Sequence, residues 1–188
     1  MLMRLAFLTQ PLTSISITLR AGTPDDATTI SALAIQVFLD TYATEGVRPD
    51  LAREALREYA TEAFDLRLRE PQRRFVLAER DTGLLGFAEL TLTDQAAPAG
   101  QCTGAELVRL YVQPAAQGMG LGRRLIGAAQ ALAAEAGLDA LWLTAWDGNQ
   151  RALAFYAREG YADIGDTTYS FEGNTYGNRV LARELKRP

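Results

Sequence analysis

The sequence predicts a mixed α/β domain built around a single sheet with both antiparallel and parallel strands. Two observations carry that expectation. Period-two and period-3.6 apolar patterns alternate in the order strand, helices, three strands, helix, strand, helix, two strands. The 188 residues, 48% of them apolar, suffice for one domain with a sizeable core, and no repeat of solenoid period is present.

Each element has a local reason. In "SISITLRAG", Ile15, Ile17 and Leu19 fall on one side of a strand that Gly22 ends. Thr23 then supplies an N-cap and Pro24 a first helical residue. Ile30, Leu33, Ala34, Val37 and Phe38 form that helix's apolar face. A second helical stretch starts at Asp50 and breaks at Pro71. "RRFVLAER" and "GLLGFAELTLT" read as a hairpin around Asp81-Thr82-Gly83, followed by a turn-rich loop from Asp94 to Gly104. "AELVRLYV" is the next strand, with Glu106, Val108 and Leu110 expected on one face. A helix from about Gly120 to Glu135 carries Leu121, Leu125, Ala129 and Leu132 on one side, and Gly137 sits at its C-cap. "ALWLTAW" reads as a buried strand and "NQRALAFYARE" as a short helix closed by Gly160. "TTYSF" and "TYGNRVLAREL" make a terminal hairpin. Residues 1–14, ahead of a domain over 15–188, read as a poorly ordered extension or as the result of an upstream start codon rather than as a signal peptide, because the polar Thr9-Gln10 and Pro11 interrupt their apolar run before any small-residue cleavage site.

Composition removes several chemistries. The chain has no histidine, which excludes Ser-His-Asp and Cys-His catalysis and histidine-ligated metals; no metal is expected. Lys186 is the one lysine, too near the end for a Schiff base or P-loop role. Cys102 alone forbids an internal disulfide, and no adjacent base activates it. A net charge of −4 argues against nucleic acid and anionic membrane surfaces, and no apolar run is long enough to span a bilayer. A cytoplasmic location follows as the expectation.

The stretch Val112 to Ile126, "VQPAAQGMGLGRRLI", spends glycines at 118, 120 and 122 at the mouth of a helix. A strand feeding such a turn and helix is an anion site, because free amides and the positive end of the helix dipole face the ligand. A P-loop needs Gly-Lys-Ser/Thr, where this chain has Gly122-Arg123-Arg124. A dinucleotide fingerprint needs a third glycine that is missing in both frames. A plain structural turn is the remaining alternative to a phosphate site of another kind.

Gln117-Gly118-Met119-Gly120-Leu121-Gly122 matches Gln/Arg-x-x-Gly-x-Gly/Ala. A second block, "LWLTAWDGNQRALAFYAREGYADIG", follows as strand, Asn, Ala-x-x-Phe-Tyr and Gly-Tyr. Together they resemble the GCN5-related N-acetyltransferases, with motif matches from Glu106 to Tyr161 and element order from Ile15 to Leu185. The tail is faintly similar to the polyamine-acetylating branch. The resemblance implies a sheet of six to seven strands flanked by about four helices, with splayed parallel strands forming an acyl-CoA cleft. It also implies acetyl-CoA as co-substrate and direct transfer to an amine, with no covalent enzyme intermediate.

By the same resemblance, Gly118 to Arg123 hold the pyrophosphate. Leu110, Tyr111 and Val112 run beside the pantetheine arm, and an amide near Leu110 polarises the thioester carbonyl. Tyr156 matches the family's general acid. Asn149, seven residues earlier, both caps its helix and reaches the cofactor arm. Glu106 matches the glutamate of the histone-acetylating branch; a carboxyl in an apolar cleft has a raised pKa suited to taking an amine proton. Glu89 and a water chain stay open as alternative bases. Phe38, Tyr42, Glu45, Tyr169, Phe171 and Tyr176 are candidates for a pocket that takes a cationic small-molecule or peptide amine, each equally compatible with core packing. A non-catalytic acyl-CoA sensor on the same fold is the competing function, and Tyr156 argues against it, since a sensor needs no proton donor. A nucleotide-binding module is disfavoured by the two failed motifs. The terminal hairpin leaves a monomer or a homodimer as the expected state.

Overall fold

Among the described residues, period-two alternation resolves into one sheet of seven strands: β1 (Ile17–Ala21), β2 (Arg73–Arg80), β3 (Gly83–Ala96), β4 (Thr103–Val112), β5 (Ala140–Trp146), β6 (Ala162–Phe171) and β7 (Asn174–Glu184). Their order is β1-β2-β3-β4-β5-β7-β6. The computed structural model describes residues 16–81 and 83–186; the expected extension over 1–14, Ile15 and the hairpin residue Thr82 lie outside them. All neighbouring strands are antiparallel except β4 and β5.

Among the described residues, five α-helices flank the sheet: α1 (Ala27–Tyr42), α2 (Pro49–Glu58), α3 (Thr61–Arg69), α4 (Leu121–Glu135) and α5 (Gln150–Arg158). The chain enters α1 through a short 3-10 turn, where Thr23 and Asp26 form a capping box. The stretch expected to be one helix from Asp50 is two. It starts at Pro49, and Ala60 turns extended (φ −57°, ψ 145°) between α2 and α3. Buried Ser31 donates its hydroxyl to the Tyr59 carbonyl at 2.5 Å, which satisfies an acceptor the helix end leaves open. The expected loop from Asp94 to Gly104 is shorter than read, because β3 continues to Ala96 and β4 begins at Thr103. There the strand pairs Gln95↔Gly104 and Ala96↔Thr103 satisfy the backbone of polar residues that carry no apolar alternation.

The sheet has two faces with separate cores. Leu121, Leu125, Ile126 and Ala129 of α4 pack on Val76, Ala78, Ala88, Leu90 and Leu107. Ile30, Leu33 and Phe38 of α1, Leu51 of α2 and Phe64 of α3 pack on Phe75, Leu77 and Phe87. Adjacent residues of β2 thus go to opposite cores, as a pleated strand requires.

One irregularity in β4 positions everything that follows. Glu89 pairs with Arg109, but the next residue, Leu90, pairs with Leu107, so Val108 is an unpaired bulge residue. The bulge shifts the pleat. Leu107 and Leu110, three apart, both join the α4-side core. The expected shared face of Glu106 and Leu110 is therefore corrected: Glu106 pairs with Thr91 and lies on the α1–α3 side. The parallel pairing of β4 with β5 holds at Ala105↔Leu141 and Glu106↔Trp142. β4 runs on to Val112 and β5 to Trp146 without it, so the two strands splay as expected.

A charge cluster is buried beside the bulge. Glu89, with no exposed surface, accepts Arg73 Nη1 on one oxygen and Arg109 Nη1 on the other, both at 2.5 Å. Arg109 also donates to Glu58 at 2.5 Å and lies over the rings of Tyr59 and Phe64. Arg67 holds the same Glu58 oxygen at 2.6 Å. Removing Arg109 leaves fully buried Glu89 with one oxygen unpaired and only Arg73 to balance it. Arg109→Met is therefore expected to lower unfolding free energy by about 3–5 kcal/mol. Urea unfolding measures it; a loss below about 1 kcal/mol, the range of an exposed pair, would mean the cluster is not a buried clamp.

Candidate active site

At the open end of the splay, the β4–α4 connection turns through Pro114–Ala116, and Gln117 Nε2 donates back to the Val112 carbonyl at 3.3 Å. Gly118 (φ +83°) and Gly120 (φ +76°), the N-cap of α4, are left-handed, a conformation that strains any side chain. A Cβ at either would meet nothing within 4 Å. Gly122 has a different reason. Inside α4, its Cβ would meet Phe155 ring carbons at 3.2 and 3.3 Å, so this glycine lets α5 approach α4. The three glycines thus divide, two for backbone shape and one for helix packing.

The N-terminus of α4 has no side-chain cap and no acidic residue in its first turn. Its free amides and dipole favour an anion. Leu121 is buried beneath the turn and Met119 is exposed above it. Arg123, largely exposed, pairs with Glu159, the C-cap of α5, at 3.0 Å, while Arg124 donates to the Ile17 carbonyl at 2.9 Å.

Along the splay, Leu110 and Val112 pack against the α4-side core and Tyr111 against the other. The Tyr111 phenol is 2.9 Å from that of Tyr59. Burial raises the Tyr111 pKa well above its ordinary value and that of Tyr59 to about 12. Asn149 is the N-cap of α5, its Oδ1 accepting from the Ala152 amide at 3.0 Å. Two turns on, Tyr156 is 8% exposed and packs on Phe155 and Tyr161. Burial raises its pKa, and the phenols of Tyr161, Tyr111 and Tyr42 add to the shift, so it stays a neutral donor across the neutral range.

The carboxylates separate by partner. Glu106 Oε2 accepts from the neutral Gln95 amide at 2.9 Å. Burial raises its pKa, partly offset by that hydrogen bond and by Arg73. Glu89, the alternative base, has both oxygens held by guanidinium groups.

Of the acceptor-pocket candidates, Phe38 and Phe171 are buried core residues. Tyr42 lies against Trp146, ring centres 5.3 Å apart, and Tyr176 stacks on Phe171 at 5.1 Å. Tyr169 donates to buried Glu54 at 2.8 Å, and Glu45 is exposed. The sequence reading missed Trp146, Tyr59 and Arg109. Trp146 ends a strand read as wholly buried, and its place at the splay is a matter of topology. Among the described residues, no group of three His, Cys, Asp or Glu is placed to hold a metal, and no helix is long and apolar enough to cross a membrane.

The split among the glycines is testable by unfolding. Gly120→Ala is expected to cost about 1–2 kcal/mol from left-handed strain. The effect of Gly122→Ala is expected to become more favourable by at least about 0.5 kcal/mol when Phe155 is also changed to Leu. Additive effects at 122 and 155 would contradict the packing role.

Residues 39–161 match the acetyltransferase (GNAT) family. An uncharacterized N-acetyltransferase of Mycobacterium tuberculosis is 31% identical over 118 residues, covering 63% of this chain and 71% of the relative. Another uncharacterized N-acetyltransferase, from Lactobacillus delbrueckii, is 25% identical over 154 residues, covering 82% and 89%. In fold, the chain is similar to the PaiA N-acetyltransferase of Thermoplasma acidophilum, solved with coenzyme A. That match has a TM-score of 0.70 at 21% identity and covers 90% of this chain and 99% of the other. With its splayed sheet and uncapped glycine turn, the chain belongs to the GNAT acetyltransferase family and is an acyltransferase.

Proposed function

We propose that this enzyme holds acetyl-CoA in the splay between β4 and β5 and passes the acetyl group directly to a primary amine in a ternary complex. The observation that carries the reading is the loss of parallel pairing beyond Glu106, which leaves two strand edges diverging toward the α4 N-terminus. Amides from Gly118 to Gly122 and Arg123 take the diphosphate. Arg123's exposed pair with Glu159 is weak enough to exchange for a phosphate. The β4 edge at Leu110, Tyr111 and Val112 bonds the pantetheine amides as a neighbouring strand would. An amide near Leu110 polarises the thioester carbonyl.

Glu106 accepts the proton of the attacking ammonium, directly or through water, so the nitrogen lone pair is free to add to the carbonyl carbon. As the C–S bond breaks, Tyr156 protonates the leaving thiolate, the amide nitrogen gives its second proton back to the Tyr156 phenolate through water, and Glu106 releases the first proton to solvent. Burial of Tyr156 and its raised pKa keep that proton in place until the thiolate forms. Asn149 caps α5, fixing the helix that carries Tyr156, and also faces the cofactor arm. Glu106 is favoured over Glu89 as base because the two guanidinium groups on Glu89 leave neither of its oxygens free. A cytoplasmic location fits the single cysteine.

Two measurements test this. Tyr156→Phe is expected to lower kcat by about 10²-fold or more, with acetyl-CoA affinity by calorimetry unchanged within about twofold. Undiminished kcat would remove Tyr156 as acid. The Glu106 base works as a carboxylate, so acidification inactivates it. Because burial raises its pKa, the rate is expected to fall at a pH above the ordinary carboxylate value of about 4.3. In Glu106→Gln that acid limb disappears and the neutral rate drops; an unchanged profile would remove Glu106 from proton transfer.

A further inference from the structure

On the α1–α3 side of the splay, the carboxylates differ in one respect. Glu54 is held by Arg57, Glu58 by Arg67 and Arg109, and Glu89 by Arg73 and Arg109. Toward the β6–β7 hairpin, Asp50 pairs with Arg48 and Glu172 with Arg53. Asp163 of β6 pairs with Arg179 of β7. Glu106 has only a neutral amide partner among the described residues. The remaining carboxylates nearby, Asp147, Asp40 and Glu45, are exposed to water, where a charge is screened. The acceptor side thus offers one desolvated carboxylate that no guanidinium holds directly, with Arg73 and Arg109 acting on it only at a distance.

The walls above that charge are aromatic. Tyr42 of α1 meets Trp146 of β5 at 5.3 Å, and Phe38 lies behind Tyr42 at 4.9 Å. The phenols of Tyr111 and Tyr176 are near enough to Tyr42 to raise its pKa further after burial has done most of that. Glu106 pairs with Trp142, so Trp146 stands four residues further along β5, about 13 Å away at strand rise. A glutamate side chain and a short amine ending in a ring together span that length.

We propose, resting on the transfer reading above, that the acceptor is a monocationic arylalkylamine. Its ammonium is directed at Glu106 and its ring packs against the joined edge of the Tyr42–Trp146 pair. A flat ring laid along that pair gains offset or edge contacts with the exposed faces of the two aromatics. A polyamine would bring further cations to a wall whose buried carboxylates are already neutralised by arginine.

The test is free-thiol release from acetyl-CoA with tryptamine, phenethylamine, ethylamine, spermidine and a short peptide amine, on the wild type, Trp146→Ala and Trp146→Phe. Tryptamine or phenethylamine is expected to exceed spermidine and the peptide in kcat/KM by about tenfold or more. Trp146→Ala is expected to raise KM for the arylalkylamine by about tenfold and for ethylamine by less than about twofold, with Trp146→Phe restoring most of the loss. Preference for spermidine or the peptide would overturn the substrate class while leaving amine acetylation intact. Equal KM losses for ethylamine and tryptamine would overturn the ring site. Silence with every amine, from protein that binds acetyl-CoA by calorimetry, would overturn both the class and the transfer reading.

Discussion

The bulge at Val108 is the constraint on which the rest of the structure depends. An extra residue in β4 reverses which side chains face which core, and it bends the strand. Before it, Glu106 still pairs alongside Trp142; after it, β4 and β5 part. The shifted pleat turns Arg109 into the α1–α3 side, where an unpaired guanidinium would be costly. Glu89, Glu58 and the rings of Tyr59 and Phe64 meet it there. The buried charge cluster and the splayed strands are thus two results of one insertion. The same insertion separates Glu106 from Leu110, leaving the carboxylate on the α1–α3 side and the leucine against α4.

Around that gap, the site draws on elements of different stiffness. The α4 side is close-packed, with Gly122 pressed against Phe155 and Tyr156 held between Phe155 and Tyr161. The opposite wall is tied by polar contacts between α2 and the β6–β7 hairpin: Arg53 with Glu172, Asn174 with Asp50, Arg48 with Tyr176 and Tyr169 with Glu54. Apart from the contact to buried Glu54, these are exposed and screened by water, so each contributes little. Under the proposed transfer, a rigid wall facing a more lightly tethered one suits fixing one substrate's reactive group while admitting a second.

Much of this was legible in the residues. The glycine turn, the Asn149 and Thr23 caps, and the helix ends at Gly137 and Gly160 follow from backbone rules that act within a few residues. What escaped depends on contacts between distant segments. Nothing local says that Gly122 faces Phe155. The break after Tyr59 has no proline or glycine to announce it, because a buried hydroxyl from Ser31 supports it from another helix. The bulge did leave a trace. In "AELVRLYV" the apolar phase moves from Ala105 and Leu107 to Leu110 and Val112, with Arg109 breaking the first series. Read as uninterrupted alternation, the strand puts Glu106 on the wrong face. The aromatic contact of Tyr42 with Trp146 joins residues over a hundred positions apart and becomes visible only with the topology.

The central claim is that the parted edges of β4 and β5, with the α4 N-terminus, hold the acyl donor. Amide hydrogen exchange with and without acetyl-CoA tests it most directly. The account predicts slowed exchange at Leu110 to Val112 and at Gly118 to Arg123, with the β1–β2 pair unchanged. Saturating acetyl-CoA that protected neither segment, or protected another part of the sheet instead, would contradict it.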